Sequence, residues 1–295
     1  DGPPGMGRSR FLDACLLDAT LLGAAVMRAD AEDAAHGPYG AVRALARQLC
    51  GIFPRAATEC APPLMAAWIA DLGDQAADPR SSPVDETSKL AGRAELQRAL
   101  QDWMFALSRK RPLVLGIDDL HCLDEPSAAW LALLAAEGGE HPICIIASVE
   151  SADAWLDAPA GRLLRSAATQ LTLGPLSHAQ TQLLLGSLFG DTANLALLSQ
   201  RAYALSCGVP RDLVRFAQHL LDRGVVHYRA GAFSLPGRLE DAELPQSLAA
   251  TMQARVLALS DAARELAWAL SLCPDQRFSM AECARLIAPA STLAP

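Results

Sequence analysis

The sequence predicts an α/β fold: a parallel sheet flanked by helices, then an all-helical stretch, then a last region of two short strands and further helices. Three observations carry this. Leu113 to Ile117 (L-V-L-G-I) is apolar without polar alternation, the pattern of a strand buried on both faces. Strand-like and helix-like stretches alternate as far as Pro175, which implies right-handed crossovers between parallel strands. Beyond Pro175 helical periodicity dominates, interrupted only at Gly224 to Leu235. The expected regions are residues 1–174 (α/β), 175–224 (helical) and 225–295 (hairpin followed by helices).

Taken in order, Phe11, Leu12, Cys15, Leu16, Ala19 and Leu22 recur at helical spacing from Ser9 until Gly23 stops the run. Ala24 to Ala29 reads as a short strand and Asp30 to Gly37 as a polar connection. Pro38 suits the first turn of a helix running to about Cys50. Pro54 to Pro63 reads as loop, Leu64 to Leu72 as a short helix, and Gly73 to Ser88 as a mobile surface loop. Lys89 to Arg109 is a long amphipathic helix whose end, Arg109-Lys110-Arg111, complements the helix C-terminus. Asp124-Glu125-Pro126-Ser127 is a helix start, with Trp130, Leu131, Leu133 and Leu134 as its buried side. Ile143 to Val149 is a second buried strand and Gln170 to Leu173 a shorter one. Helices follow at Ser177 to Phe189, Asn194 to Ser206 and Pro210 to Arg223. Gly224 to Leu235 reads as two strands turning at Ala230-Gly231, Pro236 to Glu243 as a linker, and Leu244 to Leu259, Asp261 to Leu272 and Met280 to Ile287 as closing helices.

Composition narrows the function. A chain of 295 residues exceeds the usual single core, and 51% hydrophobic residues with only 5% aromatics favour helices rich in Ala and Leu. A net charge of −8 and a pI near 5.2 argue against a general nucleic-acid or anionic-membrane surface. The longest apolar run, Ala128 to Ala136, is far too short to span a bilayer, so a cytoplasmic location is expected. The eight cysteines are scattered without a C-x-x-C pair, which fits reduced thiols.

Two motifs carry chemistry. Gly2-Pro3-Pro4-Gly5-Met6-Gly7-Arg8-Ser9 fits the phosphate-loop (Walker A) pattern G-x-x-x-x-G-K-[ST] at every defined position except the lysine. Glycines let backbone N–H groups wrap an anion at the positive end of the next helix, so Gly2, Gly5 and Gly7 are candidate phosphate contacts. Ser9 stands where a hydroxyl would ligate magnesium. Asp118 and Asp119 end the 113–117 strand, where the crevice of an open α/β sheet lies, and the first suits a hydrated magnesium ion as in a Walker B strand. Asp119 is the candidate to orient or activate a water. Arg8 keeps the charge of the missing lysine with a planar, bulkier group. A phosphate loop needs a buried strand ahead of it; none precedes Gly2, so the chain is expected to be a piece of a longer protein.

The segments G-P-P-G-M-G-R-S-R-F-L, P-L-V-L-G-I-D-D-L-H-C-L-D-E-P-S, L-T-L-G-P-L-S and S-C-G-V-P-R-D-L resemble, in this order, the ATPase module of the STAND branch of AAA+ proteins, of the origin-recognition-complex-like type. Such modules occur in large bacterial LuxR-type transcriptional regulators and in ATPase-containing serine/threonine protein kinases. The resemblance implies a P-loop NTPase sheet lacking its first strand, a helical lid and a winged-helix-like region. It implies ATP or ADP with Mg2+ as cofactors, slow hydrolysis resetting a signalling switch, and attached effector domains outside this chain; a homo-oligomer is left open, the sequence being silent on oligomeric state. Direct DNA binding by this chain is not expected, because Arg255, Arg264, Arg277 and Arg285 in Leu244 to Pro295 are spread out and balanced by acids such as Asp261, Glu265, Asp275 and Glu282. Arg10 joins the nucleotide-binding set, Gly208 and Pro210 match the lid's G-x-P motif, and Arg211 is placed to sense phosphates. His121 and Asp124 match the loop after Walker B. Three departures gather at one pocket: Arg8 for lysine, Ser148-Val149-Glu150 where an arginine is common, and Cys122 for a tryptophan. They leave a second reading open, a degenerate scaffold that binds nucleotide without hydrolysing it or serves only as an interaction platform.

Overall fold

The computed structural model describes residues 1–63, 65, 86–151, 153–190, 192, 194–229, 232–234, 248–273, 278 and 280–287. It divides into two compact units, Asp1–Gly174 and Pro175–Pro295.

In the first unit the phosphate-loop segment leads into α1 (Arg8–Leu21), then β1 (Ala25–Ala29), α2 (Ala31–Ala34), α3 (Gly40–Ile52) and α4 (Ala56–Glu59). After 64 and 66–85, which lie outside the described residues together with the helix and most of the loop expected there, come α5 (Glu86–Ser108), β2 (Leu113–Ile117), α6 (Glu125–Glu137), β3 (Ile143–Ala147) and α7 (Pro159–Ala167). The strands form one parallel sheet in the order β1-β2-β3, in a register that aligns Ala25 with Leu113 and Leu113 with Ile143. Every residue of β2 is buried, as its unbroken apolar run requires.

Gly116 in β2 lets α1 pack close: a Cβ there would stand 2.4 Å from the Leu16 Cδ1 methyl. Leu16 sits with Leu12, Ala24 and Val114 in a small core under α1, while the main core gathers Trp103, Met104, Trp130, Leu131, Leu45 and Met27. Gly116→Ala is therefore expected to lower stability by about 1–3 kcal/mol by forcing α1 outward, measured as a shift in the urea midpoint.

Several local expectations are corrected. β3 ends at Ala147 and is only half-buried, because among the described residues it pairs along its length with β2 alone; beyond it only Gly2 and Glu150 bridge, in parallel. Gln170 to Leu173 forms no strand, although the Leu173 N–H donates to the Asp1 carbonyl (2.8 Å) and the Asp1 amino group to the Leu171 carbonyl (2.6 Å). Two short helices, α2 and α4, interrupt stretches read as polar connection and loop, and α5 begins at Glu86, inside the expected loop. Helix α3 starts at Gly40 and not at Pro38, since Tyr39, in the left-handed region with φ 60°, is its N-cap. Leu133 is 39% exposed, unlike Trp130, Leu131 and Leu134. Arg111, read as complementing its own helix end, instead donates to the carbonyls of Gly23 (2.6 Å) and Ala24 (2.9 Å) and fastens the end of α1 to the start of β2.

The second unit contains α8 (His178–Phe189), α9 (Leu195–Ser206), α10 (Pro210–Asp222), an antiparallel pair β4 (His227–Arg229) and β5 (Ala232–Ser234), α11 (Leu248–Leu257), α12 (Asp261–Ser271) and α13 (Met280–Ile287). A capping box between Ser177 and Gln180 starts α8. Leu185, Phe189, Leu198, Leu213, Phe216 and Leu220 form its core, onto which Phe233 of β5 packs. The expected turn at Ala230-Gly231 and the linker Pro236 to Glu243 lie outside the described residues. No helix among the described residues is long and apolar enough to cross a membrane, and none of the eight cysteines is in a disulfide.

Candidate functional site

The loop that opens the chain is shaped by its glycines. Gly5 (φ 89°) and Gly7 (φ 86°) both lie in the left-handed region, which a Cβ would strain. Gly7 is the N-cap of α1, and no side chain caps that end. The helix therefore presents uncapped first-turn N–H groups and its positive end to the space the loop surrounds, and a Cβ at Gly7 would meet nothing within 4 Å.

Three strand ends meet this helix terminus. The Ser9 hydroxyl, on the first turn of α1, donates to Asp118 Oδ1 at 3.1 Å, and the buried Ser148 hydroxyl just past β3 donates to the same oxygen at 2.6 Å. Arg28, on β1, donates to Asp118 Oδ2 at 2.7 Å and through its other terminal nitrogen to Asp13 Oδ1 at 2.8 Å. Burial pushes the Asp118 carboxyl upward, but the hydrogen bonds from Ser148, Ser9 and Arg28 and the charge of Arg28 outweigh it, leaving Asp118 below its ordinary value.

Asp119 occupies the left-handed region (φ 48°), with its N–H donating to the Ser148 hydroxyl at 2.8 Å. Its carboxylate faces Arg8, whose guanidinium donates to Asp119 Oδ1 (3.2 Å) and to the Gly2 carbonyl (2.5 Å) and stands 3.8 Å from Glu150. The residue in the lysine position is thus folded back onto acids and is mostly buried, its side chain 13% exposed. Arg10 is exposed on the same turn of α1.

Of the residues singled out from the sequence, Gly2, Gly5, Gly7, Arg8, Ser9, Arg10, Asp118 and Asp119 gather at this one place. Gly208, Pro210 and Arg211 belong to the second unit. There a Cβ at Gly208 (φ 79°) would meet the Leu176 carbonyl at 2.1 Å, Pro210 opens α10, and Arg211 is half-exposed with Asp212 Oδ1 3.8 Å away. His121, in a single turn of 3-10 helix (Leu120–Cys122), has a buried Nδ1 without a hydrogen-bond partner. Asp124 caps α6.

Sequence reasoning missed Arg28, Asp13 and the bond from Ser148. The available signal for Arg28 was its standing as the only charged residue of an otherwise apolar parallel strand, A-V-M-R-A. For Ser148 it was its place immediately after a strand, on the same edge as Asp118.

The donor set fits a hydrated magnesium ion: a hydroxyl and a carboxylate oxygen converge at a helix N-terminus. Among the described residues no group of three or more His, Cys, Asp or Glu could hold a metal alone. A cation here would need ligand phosphates to complete its shell.

No curated protein matches the chain. The structure of the Aeropyrum pernix Orc1 protein in complex with DNA is similar at a TM-score of 0.44 and 14% identity, over 97% of this chain and 69% of that one. Residues 1–146, from the glycine loop through the strand that ends in Asp118 and into β3, match the family model described as AAA ATPase domain.

Proposed function

We propose that this chain is the nucleotide-binding switch module of a larger signalling protein, binding ATP and hydrolysing it slowly with magnesium to regulate an attached effector that acts in transcription or protein phosphorylation. The observation that carries the reading is the convergence of Ser9 and Asp118 at the head of α1, behind a loop held open by Gly5 and Gly7. The match of residues 1–146 to the AAA ATPase domain supports nucleotide binding. In this reading Gly2, Gly5, Gly7 and the first-turn N–H groups hold phosphate oxygens, with Arg10 beside them. Ser9 and Asp118 hold magnesium, which when bound supplies positive charge to the phosphates. Asp119 orients the attacking water and Arg8 supplies charge in place of lysine. Residues 175–224 serve as a lid in which Gly208, Pro210 and Arg211 form the nucleotide-responsive turn, and residues 225–295 as a winged-helix-like region.

One observation favours the second reading, a switch that binds nucleotide without hydrolysing it: Arg8 and Asp119 neutralise each other at 3.2 Å, so the candidate charge donor and the candidate water-orienting acid are both engaged. Steady-state ATP hydrolysis with and without magnesium separates the two readings. The expected wild-type rate lies at least a hundredfold below a typical enzyme's 10 per second, and Arg8→Lys is expected to raise it by about threefold to tenfold because an ammonium releases Asp119. Equilibrium binding of a fluorescent ADP without any magnesium-dependent turnover in either protein would favour the second reading, and absence of nucleotide binding would sink the switch in both forms and leave only the interaction platform.

A further inference from the structure

Asp118 already has a cation. The Arg28 guanidinium lies 2.7 Å from Oδ2 of a carboxylate that is itself 9% exposed, while Oδ1 accepts from two hydroxyls, so both oxygens are engaged before any metal arrives. Arg28 has a second carboxylate within reach at the same time, Asp13 Oδ1 at 2.8 Å. Asp13 lies one turn beyond Ser9 on α1, so Arg28 spans from the candidate metal-ligating carboxylate to the helix that carries the candidate metal-ligating hydroxyl. The arginine's backbone cannot move freely: its N–H donates to Gln48 Oε1 (2.9 Å) and its carbonyl accepts from Gln48 Nε2 (2.6 Å), which pins β1 at this point. Its side chain can, being 40% exposed.

We propose that Arg28 is the resident counter-ion of Asp118, and that a divalent cation binds there only by displacing the guanidinium, which stays paired with Asp13. The inference rests on the reading of Ser9 and Asp118 as a magnesium site and adds its regulation. A carboxylate neutralised by a fixed cation attracts a second cation weakly, because the new charge meets both the screened acid and the repulsion of the first. Asp13 makes the exchange reversible by holding the displaced guanidinium on a charge-assisted bond in place of bare solvent. Arg28 thus sets the metal concentration at which the site fills, and metal binding alters the contact between β1 and the strand end at Asp118.

The test is Mn2+ binding to the whole chain in the presence of ADP, read from the loss of the free-ion electron paramagnetic resonance signal, so that turnover plays no part. Arg28→Gln is expected to lower the half-saturating Mn2+ concentration about tenfold, and Arg28→Lys, which keeps the charge, to stay within about threefold of wild type. Equal or weaker binding by a folded Arg28→Gln overturns the proposal, as does tightening by Arg28→Lys to the same degree. If Arg28→Gln fails to fold, Asp13→Asn carries the test: with no second carboxylate the guanidinium is held on Asp118, so half-saturation is expected to rise, and a fall overturns the proposal. Wild type that binds Mn2+ while Arg28→Gln gains nothing defeats this inference alone; absence of Mn2+ binding in wild type and every variant defeats the metal-site reading together with it.

Discussion

Asp118→Asn is expected to cut magnesium-dependent nucleotide turnover by at least about a hundredfold while costing only about 1–2 kcal/mol of stability at neutral pH. The asymmetry follows from what each partner loses. An amide oxygen can still accept from Ser148 and Ser9, which stand 2.6 and 3.1 Å from Oδ1, and Arg28 keeps Asp13 and is 40% exposed, so solvent recovers part of its lost pairing. A divalent cation has no such substitute, since among the described residues Asp118 is the one carboxylate hydrogen-bonded to Ser9. The pH dependence supplies an independent check. Asp118 is held below its ordinary value in the folded chain, so its contribution is complete above the unfolded-state pKa of about 3.9 and is lost as pH falls through the lower folded value. Urea midpoints measured from pH 7 down to pH 3 should therefore fall more steeply for wild type than for Asp118→Asn below about pH 4, and parallel curves would show that Arg28, Ser9 and Ser148 do not hold the charged carboxylate in solution.

The parts legible in the sequence are those whose cause is local. Leu113 to Ile117 reads as a buried strand because hydrophobicity alone determines it, and Met280 to Ile287 reads as a helix from its period. The glycine loop and the paired aspartates announce themselves by residue type and spacing. Long-range causes stay hidden. Pro38 looks like a helix start until Tyr39 takes a left-handed backbone and moves the cap. Asp30 and Asp33 look like solvated acids in a connection, whereas they close a capping box on a four-residue helix. Arg111 looks like a helix-end charge until the fold brings Gly23 within its reach. Arg28 is the sharpest case at the site: its partners Asp13 and Asp118 lie on two other elements, and only the β1–β2 register, which sets Arg28 against Gly116, brings it beside the end of β2. The exposure of β3 was equally invisible, because an isolated I-C-I-I-A run carries no record of which of its edges will be paired.

Asp124→Ala is expected to be among the most damaging substitutions outside the site, costing about 3–4 kcal/mol, because one carboxylate closes two helix ends. Asp124 caps its own helix by accepting from the Ser127 N–H at 3.0 Å. The same oxygen accepts from the Tyr39 N–H at 2.8 Å, and its second oxygen from the Ala41 N–H at 3.4 Å, at the start of α3. That helix has no side-chain cap of its own, since Tyr39 stands in the N-cap position. Its remaining first-turn donors are met by the Gly37 carbonyl, for Gly40, and by the Ser127 hydroxyl, for Val42, so α3 depends on the Asp124–Ser127 pair for three of its N–H groups. The donors are buried, Tyr39 at 7% and Ala41 and Val42 at 0% exposure, while Asp124 itself is half-buried, so water reaches the acceptor side more readily than the N–H groups that would lose it. The negative charge also faces the positive ends of two helices at once, an electrostatic attraction that adds to the hydrogen bonds themselves. Asp124→Asn keeps one acceptor and loses the charge, and is expected to cost about 1–2 kcal/mol; Ser127→Ala removes one bond and should cost about 1 kcal/mol. Urea denaturation of the three variants orders them, and a double variant Asp124→Ala/Ser127→Ala that loses less than the sum of the singles would show that the two side chains act as one clamp between α3 and α6. Because that clamp sits at the end of the segment that begins with Asp118 and Asp119, its loss is also expected to loosen the backbone on which the candidate metal ligand is carried, so the Asp124→Ala protein, where folded, should bind Mn2+ with ADP more weakly than wild type.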